Sequence, residues 1–172
     1  MRIDHIEPVK RSSMKTITNP DYRKWIIWMA SGGHCGFFPF APGTVGSLAA
    51  LPLAFGISFL PTTAAGVVLI LFSVFSMWVA DQAESISGCS DPGFIVIDEI
   101  AGMMFTLLGL PFDLGIAVAG FVLFRIMDII KPFPIGYLES KIPGGAGIVI
   151  DDVLAGIVCN VLLRLITTIH PF

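Results

Sequence analysis

The sequence predicts an all-α fold: a membrane-embedded bundle of about five hydrophobic helices, some short or re-entrant, preceded by an interfacial amphipathic helix. Three observations carry this. Hydrophobic residues make up 55% of the 172 positions and charged residues only 13%, with a mean hydropathy of +0.85. Apolar runs recur along the chain, several of them about 17 residues long, near the lower limit for crossing a roughly 30 Å hydrocarbon core. Basic residues gather ahead of the first run: Arg2, Lys10, Arg11, Lys15, Arg23 and Lys24 are six of the ten. That bias predicts a cytoplasmic N-terminus. The length suits one domain, read as an N-terminal arm over 1–20 and a membrane-embedded unit over 21–172.

Each element has a local reason. Asn19 is a candidate N-cap and Pro20 a first-turn residue, so a helix opens there. Over 22–30 it sets Trp25 and Trp28 beside Arg23 and Lys24, the pairing of aromatic ring and base found at membrane interfaces. Ser31-Gly32-Gly33 ends it. Candidate embedded helices follow at 44–60, 62–82, 94–110, 114–130 and 148–169. Between them lie Pro61, a polar loop over 85–93, Pro111, the stop Lys131-Pro132-Phe133-Pro134, and the glycine-rich turn over 143–147. Pro52 predicts a kink in the first of these helices. Neither an internal repeat nor a low-complexity segment is recognised, and no apolar stretch directly follows the basic start as a cleaved signal peptide would require.

Alternating the spans from an inside N-terminus gathers the unusual polar residues at one side. Asp81, Glu84, Asp91, Asp98, Glu99, Arg125, Asp128, Lys131, Asp151 and Asp152 all fall at predicted cytoplasmic ends. The outer loops hold only Pro61-Thr62-Thr63 and Pro111-Phe112-Asp113. A carboxylate at bilayer depth costs about 2.5–3.5 kcal/mol on insertion scales, so grouped acids call for an offsetting cation.

Four motifs could carry chemistry. Pro42-Gly43-Thr44-Val45-Gly46-Ser47 joins two glycines and two hydroxyls to a helix start, a plausible phosphate cradle at Gly43, Thr44, Gly46 and Ser47. The same residues would also serve as a capped helix with close-packing glycines. Asp98 and Glu99 are adjacent, so on a helix they point about 100° apart and need not share a face. One could hold a metal while the other orients a ligand or water. Arg125 and Asp128 share a face at i, i+3 and can neutralise each other. Alternatively Arg125 or Lys131 takes a phosphate and Asp128 a metal or water. Finally, Gly144-Gly145-x-Gly147 turns into a helix bearing Asp151 and Asp152. Oxygen-only donors favour Mg²⁺, with Mn²⁺ also suited, over zinc.

Other routes lack their carriers. His5, His34 and His170 are scattered, and no cysteine among Cys35, Cys89 and Cys159 is followed six positions later by arginine. Covalent phosphoryl-histidine, phosphoryl-aspartate and thiol phosphatase motifs are absent, which leaves water activated by a metal. Three cysteines cannot all pair within one chain, and no zinc spacing occurs.

Taken together, the segments APGTVGSLAALP at 41–52, DPGFIVIDEIAGM at 91–103, FRIMDIIKPFPI at 124–135 and GGAGIVIDDVLAG at 144–156 resemble the phosphatidylglycerophosphatase A family in order and spacing. One departure is Gly36-Phe37-Phe38-Pro39, where members of that family commonly carry a serine before the proline. The resemblance implies Mg²⁺-dependent hydrolysis of the terminal phosphate monoester of phosphatidylglycerophosphate, giving phosphatidylglycerol and phosphate. It implies a multi-pass protein of the bacterial inner membrane, with its site and N-terminus facing the cytoplasm, inner-leaflet lipid as partner and no role for nucleic acid. Carried over, Asp98, Glu99 and Asp128 are the catalytic candidates. The metal candidates are Asp98, Glu99, Asp128, Asp151 and Asp152, and Gly43, Thr44, Gly46, Ser47, Arg125 and Lys131 would bind phosphate. Glu99 and Asp128 are equal candidates for general base. A small cation transporter or channel is the alternative reading of intramembrane carboxylates.

Overall fold

A computed structural model describes residues 19–133, 135–139 and 141–169. The predicted arm over 1–20 lies almost wholly outside them, as do His5, His170 and the Pro134 of the predicted stop. Among the described residues, seven α-helices and one short 3-10 turn form the fold, with no strand. The helices are α1 (Pro20–Ala30), α2 (Pro42–Ile57), α3 (Thr62–Ser87), α4 (Ile97–Leu107), α5 (Leu114–Ile130), α6 (Ile135–Glu139) and α7 (Gly145–Ile169).

α1 starts where the sequence places it. The Asn19 side chain accepts from the N–H groups of Asp21 and Tyr22, and Pro20 sits in the first turn. Its inner face buries Ile26 and Ala30, while Trp25 is 62% exposed and Trp28 lies edge-on to it. Tyr22 donates to Gln82 on α3, and the N–H of Val96 donates to Ala30, tying α1 to the rest.

The longer helices follow the apolar runs with shifted ends. α3 continues past the predicted end at 82 to Ser87, and Gly88 in the left-handed region stops it. α7 begins at Gly145, so Gly145 and Gly147 are helical and Asp151 and Asp152 fall in its second turn. α6 has no counterpart in the sequence reading.

The largest correction concerns 94–110. Only Ile97–Leu107 is helical, roughly 16 Å at 1.5 Å per residue, too short to cross a bilayer. Val96 and Leu108 leave helical geometry at its ends, and Gly109 turns left-handed. Among the described residues, α3 and α7 are the two helices long and apolar enough to span a membrane by length and composition.

α4 is instead the core of the bundle. It is buried along most of its length, and α7 is its most extensive neighbour, followed by α2. Gly102 and Gly156 let α4 and α7 approach backbone to backbone. A Cβ on Gly156 would overlap the carbonyl of Gly102, and one on Gly102 would strike the Asp152 carbonyl and the Phe124 ring. Small residues at a helix crossing are how helices associate where lipid removes the hydrophobic drive.

The exterior is apolar too. Val67, Ile70, Leu71 and Val74 on α3, Ile129 and Ile130 on α5, and Val161 and Leu165 on α7 are all exposed. Such an apolar surface suits a lipid surround. Buried hydroxyls are turned back onto their own helices: Ser73 donates to Leu69 and Ser76 to Phe72, which satisfies them without a partner helix.

Candidate active site

The polar residues converge at one end of the bundle, where the starts of α2, α4 and α7 meet the end of α5. α4 enters there after Val96, which stands outside helical geometry at the N-cap, and this places Asp98 and Glu99 in its first turn. α7 delivers Asp152 alongside, and α5 brings Arg125 and Asp128 in its last turns before Lys131 ends it in a left-handed conformation.

Five acids were candidate metal ligands, and the geometry sorts them. Asp98, Glu99 and Asp152 each present a carboxylate oxygen within 4.8 Å of the others. Asp98 and Asp152 are buried, at 8% and 3% exposure. Oδ1 of Asp98 and Oε2 of Glu99 are buried and have no hydrogen-bond partner. Asp128 is engaged differently: its Oδ2 lies 2.6 Å from Nη1 of Arg125. Asp151 is paired with Lys131 at 2.5 Å. Asp128 and Asp151 are therefore salt-bridged neighbours at the edge of the group of three, with Asp128 in side-chain hydrogen-bond contact with Asp152, and for Asp128 the neutralising pair read from its i, i+3 spacing is what the helix forms.

Arg125 links the two sets. The same Nη1 lies 4.0 Å from Oε1 of Glu99 and 3.5 Å from Oγ of Ser47, while its Nε has no partner. A guanidinium held by carboxylates on one edge, with an N–H to spare, is suited to grip an anion.

The glycine-rich helix start divides as well. α2 is not capped by a side chain: Ala41 stands at the N-cap in the left-handed region and Pro42 follows. Gly43 packs directly on the Glu99 carboxylate and the Arg125 guanidinium, where a Cβ would collide with Oε1. Thr44 is half-buried at the same helix start. Gly46, in contrast, faces Val96 and serves close packing. The Ser47 hydroxyl is fully buried and donates to the Gly43 carbonyl at 2.8 Å. Gly43 and Thr44 thus stay at the acidic end, Ser47 reaches it through Arg125, and Gly46 is turned into helix packing. Phe38, where the family pattern has a hydroxyl, is exposed and offers no polar atom. His34 is also exposed, with its ring against Phe37.

Asp81 and Glu84 lie at the same end of α3. Asp81 sits against the Gly144 turn, and Glu84 accepts from the Asp91 N–H at 2.7 Å.

Gly102, Gly156, Asn160 and Arg164 were missed by the sequence reading, although they fix α4 against α7. One signal was available: Ile95-Val96-Ile97-Asp98-Glu99 recurs as Ile148-Val149-Ile150-Asp151-Asp152, each followed within a turn by an Ala-Gly pair.

What this site can do chemically follows from its donors. Three clustered carboxylates with orphaned oxygens fit a hard divalent cation and would repel one another without it. Beside them stand a cationic side chain and Gly43 at a helix start without a side-chain cap, both suited to a phosphoryl oxygen.

The family model described as Phosphatidylglycerophosphatase A matches residues 28–167. Phosphatidylglycerophosphatase A of Escherichia coli is 39% identical over 159 residues, 92% of this chain and 89% of that protein. A Bacteroides thetaiotaomicron protein with the provisional name phosphatidylinositol-3-phosphatase is 37% identical over 80% of this chain and 90% of its own. Phosphatidylglycerophosphatase A of Haemophilus influenzae is 37% identical over 87% and 88%. No solved structure matches the chain.

Proposed function

The chain belongs to the phosphatidylglycerophosphatase A family, and from that premise we propose that it hydrolyses phosphatidylglycerophosphate to phosphatidylglycerol and phosphate with a divalent cation held by Asp98, Glu99 and Asp152. It is a lipid phosphate monoester hydrolase, as its relatives are named. One observation carries the site: three carboxylates within 4.8 Å of one another, two of them with orphaned buried oxygens. The all-oxygen donor set suits Mg²⁺ or Mn²⁺. When bound, such an ion supplies Lewis-acid polarisation of the phosphoryl group and eases ionisation of water.

The residues then divide the work. The unpartnered Nε of Arg125, the backbone N–H of Gly43 and the Thr44 hydroxyl bind non-bridging phosphate oxygens, countering charge that builds in the transition state. Glu99 accepts the proton of the attacking water. It is preferred to Asp128 because its Oε2 has no partner, whereas Asp128 is committed to Arg125. Water forms the new P–O bond, the ester P–O bond breaks, and the glycerol oxygen leaves and takes up a proton. Lys131 holds Asp151 beside the cluster and adds positive charge at its edge.

The apolar exterior supports a setting in the bacterial cytoplasmic membrane, with acyl chains in the inner leaflet and the acidic end facing the cytoplasm. The grouping of polar residues at one end gives a cation carrier no path through the bundle, and the family supports the enzyme. The named relatives act on different headgroups, so the test spans substrates. Purified protein is offered phosphatidylglycerophosphate, phosphatidylinositol 3-phosphate and phosphatidate, with and without chelator. Phosphate release from the first, lost on chelation and restored by Mg²⁺ or Mn²⁺, is expected. Release that ignores the chelator would overturn the metal site.

A further inference from the structure

We infer that Asn160, clamped by Arg164, is a positioning residue that sets the register of α7 against α4 and thereby holds Asp98 and Asp152 together. The inference rests on the preceding reading of those carboxylates as a cation site.

The two helices run parallel and meet at three successive rungs. Asp98 meets Asp152, Gly102 meets Gly156, and Thr106 meets Asn160. In every rung the α7 member lies 54 positions after its α4 partner. The rungs are spaced by four residues on both helices, so a constant stripe faces a constant stripe. The middle rung is a close backbone contact, and it can pivot. The end rung is directional. Nδ2 of Asn160 donates to the carbonyls of Thr106 at 3.0 Å and Leu108 at 2.9 Å. These are the carbonyls of the last turn of α4 and of the residue that follows it, which no N–H of that helix reaches. Nε of Arg164 donates to Oδ1 of Asn160 at 2.9 Å, so the amide cannot flip, and Nη2 takes Leu108 as well. An unmatched carbonyl is costly where it is buried, as Thr106 is, which makes this clamp specific for one register.

The consequence lies about 12 Å away, eight residues along each helix. A slide of one residue at the clamp moves Asp98 past Asp152 by about 1.5 Å. That displacement is large against the tolerance of a cation's coordination distances.

Two readouts test this. The first needs no metal: cross-linking of Asp98→Cys/Asp152→Cys by a short bifunctional thiol reagent, with and without Asn160→Leu, and with Asp98→Cys alone as control. The clamp predicts cross-linking slowed by about tenfold or more in Asn160→Leu. Equal rates would overturn it. The second is Mn²⁺ binding followed by electron paramagnetic resonance. Asn160→Leu should weaken binding by about tenfold while kcat at saturating Mn²⁺ stays near that of the unaltered protein. Unchanged affinity in a variant that is merely less stable would reduce Asn160 to a structural role. If Asn160→Leu fails to accumulate, Arg164→Ala is read identically. Should the unaltered protein bind no Mn²⁺, the cation site falls, while the cross-linking rates still decide the register.

Discussion

The two ends of the α4–α7 pair treat buried polar groups in opposite ways. At the far end, Asn160 and Arg164 take up the Thr106 and Leu108 carbonyls, and Leu107 accepts from Leu110. At the near end, Asp98, Glu99 and Asp152 crowd together, and two of their oxygens have no partner. Both ends belong to the same two helices, so the difference is not one of fold. Polar groups that are buried and satisfied hold a structure together. On the proposed function, the groups buried and left unsatisfied here are those that a cation completes.

Changes at the near end should therefore cost turnover and spare stability, while those at the far end cost stability and cation affinity and leave kcat at saturating Mn²⁺ near that of the unaltered protein. The largest effect is expected for Asp98→Asn or Asp152→Asn. Each removes a charged donor, and phosphate release should fall by about 10³-fold, roughly 4 kcal/mol of transition-state stabilisation. Thermal stability without metal should hold or rise, since a repelling buried charge is gone. A large loss of stability with activity retained would invert the comparison.

Gly43→Ala comes next. Its methyl would meet the Glu99 carboxylate and the Arg125 guanidinium. A drop of about 10²-fold in kcat/KM is expected, with a melting temperature near that of the unaltered protein, because misplacement at a reacting centre is costly. Gly156→Ala belongs to the packing between the ends. Overpacking against the Gly102 carbonyl should destabilise by about 1–3 kcal/mol in a denaturation titration. The smallest effect is expected from Arg164→Ala, which is exposed on one side. A loss of about 1 kcal/mol would fit the removal of two hydrogen bonds partly replaced by water.

The sequence reading succeeded where chemistry is local. Asn19-Pro20, Pro61, Pro111 and the run of prolines after Lys131 are breakers whose effect does not depend on the fold, so α1, α3 and α5 start or stop close to where they were expected. It failed at α4, because Phe94, Ile95, Leu108 and Leu110 are as apolar as the helix between them. Apolar loop and apolar helix look alike when both are buried. At the site, the sequence named five acids and could not sort them. Which acids pair with Arg125 and Lys131 and which are left over depends on how α4, α5 and α7 cross. The predicted outer loops hold only Asp113 among charged residues. Asn160 and Arg164 escaped notice because an apolar run tolerates two polar residues without losing its character. The recurrence of Ile-Val-Ile-Asp ahead of Ala-Gly was legible, and it marks the two helices that carry the cluster.

Calorimetric titration of Mn²⁺ into the purified protein, beside its Asp98→Asn, Asp152→Asn and Asp128→Asn forms, tests the shared cation most directly. Binding by the unaltered protein and by Asp128→Asn, lost in Asp98→Asn and Asp152→Asn, is the expected pattern. Equal binding by all four, or by none, would contradict it.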